Sequence, residues 1–412
     1  MLWQNACFIA LALSIVLVMQ SLNFPFLNID ASGQSEISQI SQVDYDKLKN
    51  CTTNLSKKPT SIEYLTHFNC GHVSKDDHGN TIRQFTLIVE ENQKIPITYE
   101  GHIFDGWTFN GTIPGPTIRV TEGDLVRIRV INSNENTHAH SLYSQPTHYV
   151  KNNAFAMTGQ PGESISPGRS FTYEFIAGSY GVYPYYCAVE PMVDHIHRGL
   201  YGMMIIDPKE PRPRMTEMVM LLNGYDLDLD QEGPITLPPV ESIEGVESNV
   251  SRNSSSNNNI DAETNMSNMH NVTLPSIQKS DNGKGGSREQ RVNEIYTVNG
   301  KAFDYMMNPI ALHTGEPYRV YVVNMLQFDS VNSIHVHGAM FNYYSAGTNK
   351  TADFYNDIVT LANGDRGILE FTYDYPGTYM FHAHQALFTD LGWMGLFDVR
   401  GLPVNTQPND ET

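Results

Sequence analysis

The chain repeats itself, and the repeat limits what it can fold into. GDLVRIRVIN (123–132) matches GEPYRVYVVN (315–324) at an offset of 192 residues. GVYPYYCA (181–188) matches GTYMFHAH (377–384) at an offset of 196, and GLYG (199–202) matches GWMG (392–395). Self-similarity of this kind predicts two copies of one unit in tandem. The matched text consists of short strands broken by Gly and Pro, such as WTFNGTIPGPTIRV (107–120), SFTYEFIA (170–177) and EIYTVNGKAF (294–303). Short strands at this spacing predict an all-β fold with a β-sandwich in each half. Nothing in the text supports a long helical domain.

The expected domains follow from where strand text starts and stops. Residues 1–30 hold an apolar run (6–19, ACFIALALSIVLVM) too short for a spanning helix, which fits a signal segment or an N-terminal anchor. Residues 31–83 are polar and irregular, 84–207 form the first sandwich, and 208–400 the second, ahead of a tail at 401–412. Within the second, 230–291 are rich in Asn, Ser, Glu and Gly and read as a disordered insertion. An exported protein is expected, in an extracellular or periplasm-like space. N-x-S/T triplets at Asn54, Asn110, Asn253, Asn265, Asn271 and Asn349 would be glycan acceptors there. Cys51 and Cys70 either pair in such a compartment or stay free. A formal charge of −19 argues against nucleic acid and anionic membrane surfaces as partners.

Chemistry concentrates in the loop YYCAVEPMVDHIHRGL (185–200). Cys187 and His195 in one loop, with an imidazole from another strand, make the two-histidine, one-cysteine set of a type 1 copper site. The other imidazole is His140, with His138 as the alternative, both in THAHSLYSQ. The second half carries two His-x-His pairs, His335/His337 and His382/His384. Residues i and i+2 of a strand share a face, so each pair projects together as candidate ligands for a second copper. Through the repeat offsets these four positions fall on Tyr143, Gln145, Tyr186 and Ala188 in the first half. The two halves have divided the metal work.

The motifs WTFNGTIPGPTIRV, YYCAVEPMVDHIHRGLYG, SIHVHG and FHAHQALFTDLGWMG resemble those of multicopper oxidases and copper nitrite reductases, of the cupredoxin superfamily. The chain looks like the two-domain oxidases of archaeal ammonia oxidisers. The resemblance implies two Greek-key cupredoxin sandwiches per chain. It also implies a homotrimer with copper between the first domain of one subunit and the second domain of the next. Where trinuclear-cluster members have first-domain His pairs, this chain has Tyr143, Gln145, Tyr186 and Ala188, which argues against four-electron reduction of dioxygen. Where nitrite reductases have a His before the copper Cys and an acidic proton donor, it has Tyr186 and Tyr143. His337 and His382 align with the second-domain histidines of those enzymes. The family's axial Met is replaced by Leu200, which predicts a high-potential type 1 centre. The resulting expectation is an exported copper oxidoreductase acting on a small nitrogen compound (hydroxylamine, nitric oxide or nitrite), with Tyr143, Gln145 and Tyr186 lining the pocket. A small electron-transfer protein is a possible partner, and membrane contact is expected only through the N-terminal anchor. The alternatives are a non-catalytic blue-copper carrier or copper-binding surface protein, and a laccase-like oxidase.

Overall fold

Alternation builds the first sandwich. Along the strand Thr81–Pro96, Phe85, Leu87, Val89 and Glu91 are buried while Gln84, Thr86 and Ile88 face solvent, the period-two pattern of a half-buried strand. The computed structural model describes Cys51 and residues 58–99, 101–145, 147–150, 162–227 and 294–401. One sheet of the first domain runs Phe68–Asn69, Thr117–Thr121, Tyr201–Asp207, Gly181–Tyr186, Tyr143–Ser144 in spatial order. The other runs His72–Lys75, Thr81–Pro96, Leu125–Asn132, Ser170–Ala177, Thr147–Val150, with Ile103–Phe109 paired to Thr81–Pro96. Their inner faces meet in one core, where Leu87, Val89 and Ile128 from one sheet pack with Ile118, Tyr185 and Met204 from the other.

The second domain repeats the plan. Its outer sheet runs Ile310–His313, Met394–Arg400, Gly377–His382, Val331–Val336, Ile358–Ala362. The facing sheet runs Glu294–Val298, Thr216–Asp226, Tyr318–Asn324, Arg366–Phe371, Phe341–Ser345, Phe354–Asn356. The repeat seen in the sequence is therefore a repeat of topology. Thr81–Pro96 pairs in parallel with Leu125–Asn132 as Thr216–Asp226 does with Tyr318–Asn324. The fold is all-β, two cupredoxin sandwiches in one chain.

Two short strands stand ahead of residue 84 and pair with strands of the first sandwich. Phe68–Asn69 pairs with Thr117–Thr121, and His72–Lys75 with Thr81–Pro96. Strands of two and four residues are too short to show a period in the sequence. Tertiary contact fixes them instead: Phe68 is fully buried, with the Arg119 guanidinium 4.8 Å from its ring centre. Cys51 and Cys70 are both disulfide-bonded. The apolar run 6–19, the insertion 230–291 and the tail after Gly401 lie outside the described residues. The Asn110 amide is engaged within the fold, accepting from Ile88 N–H at 2.7 Å and donating to Thr86 O at 3.1 Å.

A third core joins the sandwiches. Phe104, Val182, Met203 and Ile205 of the first domain pack with Val219, Leu221, Tyr225 and Val323 of the second. Beside it runs a buried charge chain. Arg119 contacts Asp207 at 2.9 Å and Glu217 at 2.6 Å. Glu217 reaches Arg319 at 3.1 Å and accepts from Tyr321 Oη at 2.7 Å, and Arg319 pairs with Glu370 at 2.7 Å. Burial would raise the Glu217 carboxyl pKa, but Arg119 outweighs it and holds the pKa below the usual range. Such a depressed group stabilises the fold above its unfolded pKa and stops doing so as pH falls through its folded value. Glu217→Gln leaves Asp207 and Glu370 in place, so we expect a loss of about 1.5–3 kcal/mol at neutral pH, the worth of hydrogen bonds to charged groups. Denaturant midpoints of the two proteins should differ at pH 7 and converge in acid; a difference that persists below the carboxylate range would contradict this.

Candidate metal centres

The first centre is built at one end of the first sandwich. Tyr186 pairs with Tyr201 across the hairpin that the 187–200 loop closes, and Cys187 N–H donates to Leu200 O at 3.0 Å. A six-residue helix, Met192–His197, turns His195 inward within that loop. Gly199 sits at φ 114° against Ile113, where a Cβ would lie 2.2 Å from a side-chain carbon, so only glycine fits the return. His140 is fixed by a two-way backbone bridge to Ile165, at 3.0 and 2.8 Å.

These elements bring His140, Cys187 and His195 together, all buried, with their donor atoms within 4.8 Å of one another. Cys187 Sγ lies 3.2 Å from His195 Nδ1 and 3.8 Å from His140 Nδ1. The two Nδ1 atoms are 3.3 Å apart. Burial pushes the Cys187 thiol pKa up. It also lowers that of His140, against the pull of Glu91, and with the neighbouring His140 takes His195 down to about 4. Two neutral imidazoles and a thiol that a metal can deprotonate form a soft set of nitrogen and sulfur donors that suits copper. Leu200 is fully buried in the same core cluster as Cys187. Met203 and Met204 are buried core residues, and Met192 is exposed. His138 stays outside the group. Its side chain is 55% exposed and its Nδ1 lies 3.1 Å from Glu91.

Two residues not singled out in the sequence stand against this centre. Glu91 Oε1 is 2.9 Å from His140 Nε2, on the ring edge opposite Cys187. The same carboxylate accepts from the backbone N–H of Thr137 and His138 and from the Thr137 hydroxyl. Burial alone would raise the Glu91 pKa, yet these bonds and the two imidazoles hold it at about 2. Trp107 covers the outer side, its ring 5.2 Å from His140, 5.0 Å from His195 and 4.7 Å from His138 between centroids. A signal for Glu91 was present: Phe85, Leu87, Val89 and Glu91 share the inward phase of one strand, and a carboxylate at a core position needs a partner.

The second centre holds three imidazoles. His335, His337 and His382 have donor atoms within 4.8 Å of one another and are half-buried. His335 Nδ1 is anchored on Asp357 O at 2.9 Å and His382 Nδ1 on Ala383 O at 2.6 Å, so the Nε2 atoms of both remain for a ligand. His337 Nε2 is 3.0 Å from His382 Nε2. Burial lowers the pKa of His337 and of His382, which keeps both neutral. His384, expected in the same group, is exposed, with its ring 5.5 Å from His335 and 6.2 Å from His382. A cleft of about 810 Å³ opens beside His335 and His337, lined also by Met340, Asn342, Tyr355 and Asp357.

Tyr143 and Tyr186 are backbone partners in the first domain, and His335 and His382 are partners in the second. Both pairs occupy the same place in their sheets, as the two repeat offsets require. The tyrosine rings are 5.3 Å apart, and Tyr143 Oη donates to Gln145 Oε1 at 2.5 Å. Among the described residues these three have no bond to the second-domain histidines.

Models of the multicopper oxidase family match residues 91–211 and 256–401. A copper-containing nitrite reductase of Neisseria gonorrhoeae is 27% identical over 334 residues, 79% of this chain and 70% of that protein. A multicopper oxidase crystal structure is 33% identical, covers 83% of this chain and 97% of its own, and superposes with a TM-score of 0.62. The copper nitrite reductase of Nitrosomonas europaea, at 22% identity and 77% and 94% coverage, shares the fold with a TM-score of 0.56. Two tandem sandwiches with these matches place the chain in one lineage: it belongs to the two-domain multicopper oxidase and copper nitrite reductase family, a family of copper oxidoreductases.

Proposed function

We propose that the chain is an exported copper oxidoreductase acting on a small nitrogen compound such as hydroxylamine, nitric oxide or nitrite. Copper is held at His140, Cys187 and His195 as a type 1 centre, and at His335, His337 and His382, with His384 at the rim, as a second centre. The observation that carries this reading is the shared register of Tyr143–Tyr186 and His335–His382. One domain carries the thiolate set and has tyrosines where the other has histidines; the other carries the histidines and has Ala383 where the first has Cys187. Such complementary halves make a working pair when the second domain of one subunit faces the first domain of its neighbour, as in a homotrimer.

When bound, copper supplies one-electron transfer at the first site and a redox-active Lewis acid at the second. The chain's own residues do the rest. Burial of Cys187 and His140 and the Trp107 ring keep water from the thiolate set. Tyr186 directly precedes Cys187 in the chain, so it marks the covalent route from the thiol to the sheet edge. Burial, then the neighbouring Tyr143, raises the Tyr186 phenol pKa. Tyr186 therefore stays protonated and serves as a hydrogen-bond donor rather than a ligand. Tyr143, already donating to Gln145, presents its oxygen as an acceptor to a small N–H or O–H bearing substrate. Leu200, a hydrocarbon side chain buried in the same cluster as Cys187, adds no donor to His140, Cys187 and His195, and a copper held by those three would favour its reduced form and the withdrawal of electrons from substrate. A small electron-transfer protein would complete the circuit.

Metal analysis should give about two coppers per chain, with both a thiolate charge-transfer band and a type 2 resonance, in a trimer by light scattering. About one copper without a type 2 signal would favour an electron carrier. About four coppers with oxygen uptake would favour a laccase-like oxidase. Replacing Cys187 by Ser should abolish the visible band and leave the second copper, whereas His382→Ala should do the reverse. A double loss in either variant would contradict two independent centres. Leu200→Met should shift the type 1 midpoint downward by at least about 59 mV, a tenfold change for a one-electron couple; an unchanged potential would remove the basis for a high-potential site.

A further inference from the structure

We propose that Glu91 is the positioning residue of the type 1 centre: it fixes the His140 ring with Nδ1 toward Cys187 and, through its charge, favours oxidised copper there. The inference rests on the reading of His140 as a copper ligand. Geometry carries it. The Glu91 side chain is 2% exposed and the His140 side chain fully buried, with Oε1 2.9 Å from Nε2. Oε1 already accepts from His138 N–H, and Oε2 from Thr137 N–H and the Thr137 hydroxyl, so the carboxyl group stands as an acceptor and Nε2 as the ring nitrogen that donates to it. Nδ1 is then the lone-pair nitrogen, and it is the one that faces Cys187 Sγ. Such carboxylate–histidine pairs orient metal-binding imidazoles and raise their basicity.

The carboxylate itself is held in place from outside the metal set. Asn136 Oδ1 accepts from Glu91 N–H at 2.9 Å, while its Nδ2 donates to Val89 O and to Asn132 Oδ1, at 2.8 and 2.7 Å. Asn132 in turn donates to His138 O and Ile165 O, at 2.9 and 2.8 Å. The loop that delivers His140 is thus wrapped around one buried anion. A negative charge one imidazole away from the metal opposes the gain of an electron. It therefore acts against the effect of Leu200, and the midpoint reflects the two together.

Glu91→Gln tests this with little change of shape. Gln retains an oxygen for His140 Nε2–H and His138 N–H, and its amide can donate to the Thr137 hydroxyl, while Thr137 N–H loses its acceptor. The variant should remain folded by circular dichroism, show a type 1 midpoint raised by a tenfold preference for Cu(I), about 59 mV, and bind Cu(II) about 10–100-fold more weakly. In wild-type apoprotein, nitrogen-detected NMR should show His140 as the Nε2–H tautomer with a slowly exchanging ring proton. An Nδ1–H tautomer, or a folded variant whose midpoint does not rise, would overturn the proposal. If the variant does not fold, the wild-type tautomer still decides it. A wild-type protein with no thiolate–copper band would instead sink the assignment of His140 as ligand, a separate failure.

Discussion

Backbone register is the constraint on which both centres depend. In each sandwich one strand pairs antiparallel with the strand that leads into the candidate metal loop, Tyr143–Ser144 with Gly181–Tyr186 and Val331–Val336 with Gly377–His382. Tyr143 thereby meets Tyr186, and His335 meets His382. A slip of one residue would turn every side chain of the strand to the other face. The inner core resists such a slip, since Tyr185 and Phe381, neighbours of Tyr186 and His382, are buried without exposure. Hydrophobic packing thus aims the paired tyrosines and the paired histidines.

The two centres are prepared in different ways. At the first, burial keeps the imidazoles neutral and the thiol protonated, so metal entry must expel a proton from Cys187. The ring nitrogens turned inward there are Nδ1. At the second, carbonyls of Asp357 and Ala383 take Nδ1, and Nε2 points to the ligand space. A deep site that presents the near nitrogen sits close to its backbone and is rigid. One that presents the far nitrogen reaches further from its backbone.

Much of this was legible in the sequence because repeats and ligand spacing are local signals. The strand matches at 123–132 and 315–324, the Cys187–His195 loop and the His-x-His pairs all lie within short windows. The offsets even anticipate which residues pair across strands. Less legible were features made by distant contacts. The strands Phe68–Asn69 and His72–Lys75 exist through pairing with partners far along the chain. Glu91 lies 49 residues from His140, and its role depends on a core that only folding assembles. Choosing between His138 and His140 needed the loop's path: a two-residue step along it moves a ring from a fully buried position to an exposed one.

The core between the domains has a bearing on the molecule's history. Val219, Leu221 and Val323 in one half, and Val182, Met203 and Ile205 in the other, share one core where the halves meet. Either sandwich alone would offer water an apolar face with Arg119 or Glu217 bared beside it. A single-sandwich ancestor with this face would have had to associate with a second copy to cover it. Joining two such copies in one chain makes their meeting intramolecular.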